Sequence, residues 1–347
     1  MKRHCTSCLL VLGLAMLAFA ATQGATEPLG LQHDVVFTTH APLARNDRLL
    51  HRLLSPLNAL RIEQRIPRGA GTLQAWPLDP AQQHFALYVP PAPAADGYAL
   101  LVFVPPWKQA RVPLQWIPAL DRNHAIFVSA ASSGNDANVM ERREPLALLA
   151  AYNLMQRYHV NPSHVYVGGF SGGSRVALRL ALAYPDLFHG VLLDAGSDPV
   201  GTAQIPLPPA ELLHAFQQSS RIVFLTGDRD AIRQAQLAGA SASLEQWCVF
   251  DVDTITIPFV GHELADGAHF GRALGALAHH VAPEPSRLDA CRAHITQALG
   301  TRMQQAQSLV DAGKRDAARK LLDLIDAQYG GLAAPGSVHL ARKLGVH

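Results

Sequence analysis

Between His84 and Ile257 the chain alternates short apolar runs with helix-like stretches, and this alternation restricts the possible fold more than any other feature. The runs are His84 to Val89, Ala99 to Val104, Ala125 to Val128, Val165 to Val167, Gly190 to Leu193, Ile222 to Leu225 and Thr254 to Ile257. Most are continuous β-branched and aliphatic segments, the pattern of strands covered on both faces. Helical spacing occupies Pro145 to Tyr158, Ser174 to Tyr184 and Leu212 to Gln217 between them. Strands and helices in such succession predict an α/β fold, a mostly parallel central sheet with helices on both faces.

The 347 residues suffice for one large α/β domain with a small appendage. Hydrophobic residues at 49% and charged residues at 16% exclude a disordered chain, and 24 prolines point to ordered loops. We divide the chain into a signal peptide (1–20), an N-terminal extension without assigned role (21–71), the α/β domain (72–282) and a C-terminal helical hairpin (283–347). The leader rests on Lys2 and Arg3 before an apolar run from Leu9 to Phe19, with Ala18-Phe19-Ala20 as a small-x-small cleavage site. The run falls short of the ~20 residues a spanning helix needs. The expectation is an exported protein, periplasmic or secreted, with no stable membrane span after cleavage. Cleavage would leave basic and acidic residues balanced, and no basic stripe with interleaved aromatics suggests a nucleic-acid partner.

Residues 26–68 carry no firm periodicity, although Leu49 to Leu60 has the spacing of a short helix ending before Pro67. After Pro283, Arg287 to Val310 and Arg315 to Tyr329 read as amphipathic helices joined at Asp311 to Lys314 and closed by Gly330-Gly331. Ala317 to Leu322 resembles one tetratricopeptide repeat unit. A single unit cannot bury a core, so the hairpin is expected to pack on the α/β domain. Cys248 and Cys291 alone outlast leader cleavage, and in an oxidising compartment such a pair either bridges or packs as two small hydrophobes.

Chemistry enters at Gly169-Phe170-Ser171-Gly172-Gly173, which directly follows Val165-Tyr166-Val167 and precedes the helical run from Arg175 to Tyr184. The bare G-x-S-x-G pattern is weak, but strand, tight turn and helix around it form the setting of a nucleophilic serine. Glycines beside the serine permit the strained turn and the close crossing of strand and helix. A serine hydroxyl needs an imidazole to take its proton and a carboxylate to fix that imidazole's tautomer. After a serine of this kind the partners follow in the order acid, then histidine, on loops at the carboxyl ends of later strands.

Two loops meet that demand. Ile222 to Leu225 runs into Thr226-Gly227-Asp228-Arg229-Asp230, and Thr254 to Ile257 runs into Pro258-Phe259-Val260-Gly261-His262. These residues resemble the α/β-hydrolase family, specifically its esterase branch related to polyhydroxyalkanoate depolymerases and feruloyl esterases, over His84 to His280. The resemblance implies that Ser171, Asp230 and His262 are catalytic, the acid lying three residues beyond the turn glycine. Asp230 is preferred to Asp228, which would cap the turn or pair with Arg229, and Asp194 after an earlier strand is a third candidate. The resemblance also implies two backbone N–H donors for the oxyanion. Gly172 is one; for the other, the family usually has His-Gly after the strand ending at Val104, where this chain has Pro105-Pro106-Trp107. Neither proline has an N–H, so Trp107 is the first residue able to donate, or else it simply walls the pocket.

The loop Ser129 to Asp136 should open onto the same edge, holding substrate polar groups or serving as an ordinary connection. Arg142 and Arg143 read as a solvated helix start. His262-Glu263 lacks a second histidine at i+4, where Asp266 stands, and His279-His280 point apart, so no metal is implied. No phosphate loop or dinucleotide fingerprint occurs, and no cofactor is expected. The expected function is a serine hydrolase cleaving a small-molecule or polymeric carboxylic ester through an acyl-enzyme. A serine peptidase of the same fold and a non-catalytic binding protein are the alternatives.

Overall fold

The computed structural model describes residues 27–65 and 74–345, so the leader assigned to residues 1–20 lies outside the described residues. Eight strands form one sheet: β1 (Gly30–Val36), β2 (His84–Val89), β3 (Tyr98–Val104), β4 (Ala125–Ala130), β5 (Val160–Phe170), β6 (Gly190–Asp194), β7 (Arg221–Gly227) and β8 (Val252–Ile257). Their order is β1-β2-β4-β3-β5-β6-β7-β8. β1 and β2, and β2 and β4, pair antiparallel, and every later neighbour is parallel. This is the α/β-hydrolase fold, and its parallel strands bring all their carboxyl ends to one edge.

Both faces of the sheet are buried, which accounts for the unbroken apolar runs. Leu100, Val102, Val104, Val165, Val167, Ile222 and Phe224 belong to one core; Leu101, Phe103, Tyr166, Leu192, Val223 and Leu225 belong to the other. The pleat sends alternate side chains to opposite sides, and each side meets its own helices. In chain order the helices are α1 (Asn46–Leu53), α2 (Pro56–Arg65), α3 (Ile117–Arg122), α4 (Glu144–Arg157), α5 (Gly172–Ala183) and α6 (Ala210–Ser219). There follow α7 (Ala231–Gln246), α8 (Gly267–Leu277), α9 (Pro285–Asp311), α10 (Arg315–Tyr329) and α11 (Gly336–Lys343). α3 and α8 cover the second core, where Trp116 and Phe270 stack with ring centroids 3.9 Å apart. α4, α5 and α6 cover the first, and the terminal helices add a further layer outside them.

Three features depart from the sequence reading. Residues 30–36, left without a role in the sequence reading, are an edge strand of the sheet. The strand escapes periodicity because its register slips between Gln32 and Val35, where Asp34 takes φ 57°, and because an edge strand keeps polar residues. The single helix expected over Leu49 to Leu60 is two, α1 and α2, since Pro56 forces Leu54 and Ser55 out of helical geometry. The C-terminal hairpin also carries a third helix, α11.

The C-terminal helices share the first core. Leu322, Ile325 and Tyr329 are buried in it, and Asp326 accepts hydrogen bonds from Ser55 Oγ at 2.5 Å and Leu57 N at 2.9 Å. That carboxylate therefore satisfies one of the orphan N–H groups that open α2 from across the molecule. Cys248 and Cys291 are joined by a disulfide that ties the end of α7 to α9. No helix among the described residues is long and apolar enough to cross a membrane.

Candidate active site

Ser171 stands between β5 and α5 with φ 55° and ψ −119°, a left-handed-side conformation that costs a serine energy. Tight packing holds it there. A Cβ on Gly169 would lie 2.3 Å from the Gly173 carbonyl carbon, and one on Gly173 would lie 1.8 Å from the Val104 oxygen. Ser171 N donates to Asp194 O at 2.8 Å, and the single hydroxyl hydrogen of Ser174 is shared between Gly169 O at 2.7 Å and Asp194 O at 2.8 Å. Strain at the serine is thus offset by hydrogen bonds to the carboxyl ends of β5 and β6.

The carboxyl ends of β7 and β8 bring two more groups to the serine. His262 Nε2 is 2.9 Å from Ser171 Oγ, and His262 Nδ1 is 2.7 Å from Asp230 Oδ2. Asp230 is buried, 8% exposed, and its other oxygen accepts from Arg233 N as the cap of α7. Arg233 Nε also lies 3.5 Å from Nδ1. One nitrogen cannot donate to Asp230 and accept from Arg233, and the shorter contact decides: Nδ1 carries the hydrogen and Nε2 is free to accept from the serine. Phe170 stacks on the imidazole with centroids 5.1 Å apart, which fixes the ring plane.

The remaining acid candidates lie elsewhere. Asp228 is exposed at the turn, where its side chain makes no hydrogen bond among the described residues; it neither caps the turn nor pairs with Arg229, whose guanidinium lies over Phe259. Asp194 is fully buried and makes no hydrogen bond to the imidazole, accepting from Ala265 N at 3.0 Å while Oδ1 has no partner. Burial pushes its carboxyl up to about 8. Its backbone carbonyl serves the turn of Ser171, which is why an acid at this position is close to the serine without reaching the histidine.

The two backbone N–H groups named for the oxyanion are those of Gly172 and Trp107. That of Gly172 opens α5, where the first N–H groups have no intrahelical acceptor. That of Trp107 takes no protein acceptor among the described residues. The loop carrying it is pinned on either side: Asn135 N donates to Pro106 O at 3.0 Å, Ser132 N to Lys108 O at 2.6 Å, and Arg143 Nη2 to Pro105 O at 3.0 Å. The Trp107 ring packs against Phe103 and Phe170, with the Arg111 guanidinium 3.9 Å above it. The tryptophan ring thus packs behind Phe170, which itself stacks on His262, and its backbone N–H has no protein acceptor among the described residues.

Arg143 corrects the reading of a solvated helix start. It is 3% exposed, and its guanidinium donates to the carbonyls of Ser133 and Pro105, joining the loops after β4 and β3. Burial lowers its pKa to about 10, so it remains a cation at neutral pH. Arg143 ends a π-helical turn over Val139–Arg143, a local geometry that sequence spacing does not announce. The loop Ser129 to Asp136 does reach this edge, and the residue the sequence did not single out in it is Asn135, whose side chain lies where a Cβ on Gly172 would intrude, at 2.2 Å from Oδ1. A cavity of about 510 Å³ opens in front of Ser171, bordered by Asn135, Gly172, Val176, Ile205 and several arginines.

No family model matches the chain. Among curated proteins, NocK of Nocardia uniformis subsp. tsuyamanensis, named provisionally as an esterase, is 42% identical over 74 residues. The match covers 21% of this chain and 19% of NocK, so the chain spans about a fifth of that relative's length. Similar solved structures include a ferulic acid esterase (TM-score 0.44, 13% identity, 56% of this chain and 92% of that one). S-formylglutathione hydrolase FrmB from Staphylococcus aureus has TM-score 0.45 and 12% identity, covering 57% of this chain and 93% of its own. LpqC, a poly(3-hydroxybutyrate) depolymerase from Bordetella parapertussis, has TM-score 0.43 and 17% identity, covering 60% and 88%. Similarity at that level carries no information about activity.

Proposed function

We propose that the protein is an exported carboxylic ester hydrolase that works through an acyl-enzyme on Ser171. The observation that carries this reading is the relay Asp230–His262–Ser171, with contacts of 2.7 and 2.9 Å. His262 Nε2 takes the serine proton as Oγ attacks the ester carbonyl carbon, and the N–H groups of Gly172 and Trp107 receive the developing oxyanion. Asp230 holds Nδ1–H and stabilises the imidazolium that forms. As the tetrahedral intermediate collapses, Nε2–H passes its proton to the departing alkoxide and the alcohol leaves. Water then gives a proton to His262 and attacks the acyl carbon, and the second collapse returns that proton to Ser171 Oγ as the acid departs. Each oxyanion donor contributes about 3 kcal/mol of transition-state stabilisation.

A fluorophosphonate probe should label the wild-type protein and fail to label Ser171→Ala; equal labelling of both would overturn the assignment. Turnover of a short-chain nitrophenyl ester against the matching anilide separates ester from amide hydrolysis, and the expected preference is for the ester. Export is supported by the basic-apolar-small order of residues 2–20 and by the Cys248–Cys291 bridge, which an oxidising compartment preserves. N-terminal sequencing of the mature protein from the periplasm or medium should begin at Ala21.

A further inference from the structure

The cavity before Ser171 is bordered by four guanidinium groups, Arg143, Arg175, Arg179 and Arg233, against one carboxylate, Asp198. Three of the four are engaged. Arg143 serves two loop carbonyls, Arg179 pairs at 2.7 Å with the fully buried Glu144, and Arg233 donates to Gln236 at 2.7 Å beside the imidazole. Arg175 differs: among the described residues its one polar contact is Asp198 Oδ2 at 3.5 Å, beyond a good hydrogen bond, and its buried Nε has no partner. Burial raises the Asp198 carboxyl above its ordinary range, so this counter-charge is itself poorly held.

Position makes the unused donors consequential. Arg175 stands in the first turn of α5, four residues after Ser171, and borders the same cavity as the serine. A guanidinium offers five N–H donors in a planar fork that matches a carboxylate bidentately. We propose that Arg175 is a specificity-determining residue selecting esters that carry a carboxylate a few bonds from the scissile carbonyl. The inference rests on the esterase reading above and names its substrate class. The carboxylate displaces Asp198 as the partner of Arg175, and Arg143 and Arg233 add positive potential without contacting it.

The test compares kcat/KM on two pairs, one for each side of the ester bond: mono-4-nitrophenyl succinate against 4-nitrophenyl butyrate, and 4-acetoxybenzoate against phenyl acetate. Arg175→Ala should lose at least about tenfold more on the charged member of one pair than on its neutral partner, the lower range for a charge-assisted hydrogen bond. Arg175→Lys should retain part of that difference, and Asp198→Asn should widen the wild-type preference by removing the competing carboxylate. An Arg175→Ala variant that loses equally on charged and neutral esters, with unchanged circular dichroism, overturns the proposal. Calorimetric binding of monomethyl succinate to Ser171→Ala, with and without Arg175→Ala, separates the two readings. Binding that depends on Arg175 in a protein without turnover keeps the anion site and removes the esterase; turnover blind to charge does the reverse.

Discussion

At the scale of the residue, the decisive fact is which carboxylate reaches His262. Asp228 and Asp230 share one turn, and exposure separates them: the buried carboxylate meets the imidazole and the exposed one meets solvent. Asp230→Asn should lower kcat by about 10⁴-fold, because an amide cannot hold the productive tautomer. Asp228→Asn should leave kcat within about twofold; steady-state kinetics on one nitrophenyl ester measures both. Asp194 offers a separate test through pH. Its folded pKa of about 8 exceeds its ordinary value of 3.8, so the folded state binds a proton that the unfolded chain has released between those limits. Its contribution to stability is fully present below about pH 4 and is lost as pH rises toward 8, at about 1.4 kcal/mol per unit. Urea unfolding from pH 4 to pH 8 should show a smaller decline for Asp194→Asn than for the wild type.

At the scale of the element, the turn from β5 into α5 exists because three chain segments approach within the space of a missing Cβ. Gly173→Ala would drive a methyl into the Val104 carbonyl, a clash with backbone that no rotamer relieves. A destabilisation of about 1–3 kcal/mol or more is expected, with loss of fluorophosphonate labelling as α5 shifts. Gly261, beside the histidine, is different: a Cβ there meets nothing within 4 Å, and Gly261→Ala should retain stability and labelling. The glycine that the histidine loop requires is Gly227, whose Cβ would lie 2.2 Å from Val260 O. In the sequence Gly261 and Gly227 look alike, since spacing says nothing of what a second loop will press against.

At the scale of the whole molecule, the C-terminal helices are part of the core that carries the site. Leu322 is fully buried with residues of the sheet and of α5, about 150 positions from Ser171 in sequence. Leu322→Ala should cost about 2–5 kcal/mol in chemical denaturation while kcat/KM of the folded protein stays unchanged. The Cys248–Cys291 bridge closes a span of 43 residues, and by chain entropy its removal as the double serine variant should cost up to about 4 kcal/mol. Thermal unfolding with and without reductant should reproduce that loss in the wild type.

The sequence by itself determined the strand runs from β2 to β8, the tight turn at Ser171, and the positions of Asp230 and His262 after later strands, because burial on both faces and the geometry of a tight turn leave local marks in residue type. It did not determine β1, whose bulged polar edge carries no period, or the short helices α3 and α11, too brief for a periodic pattern to stand out. The preference for Asp230 over Asp228 came from the resemblance, whereas the exposure of Asp228, the inward turn of Arg143, and the placing of Arg175 with its Nε unpartnered on the cavity before Ser171 belong to the tertiary structure alone. Each depends on which distant segment comes to lie against the side chain: β8 against β7, the loops after β3 and β4 against α4, and Asp198 against α5. Such contacts join residues far apart in the chain, and no local pattern encodes them.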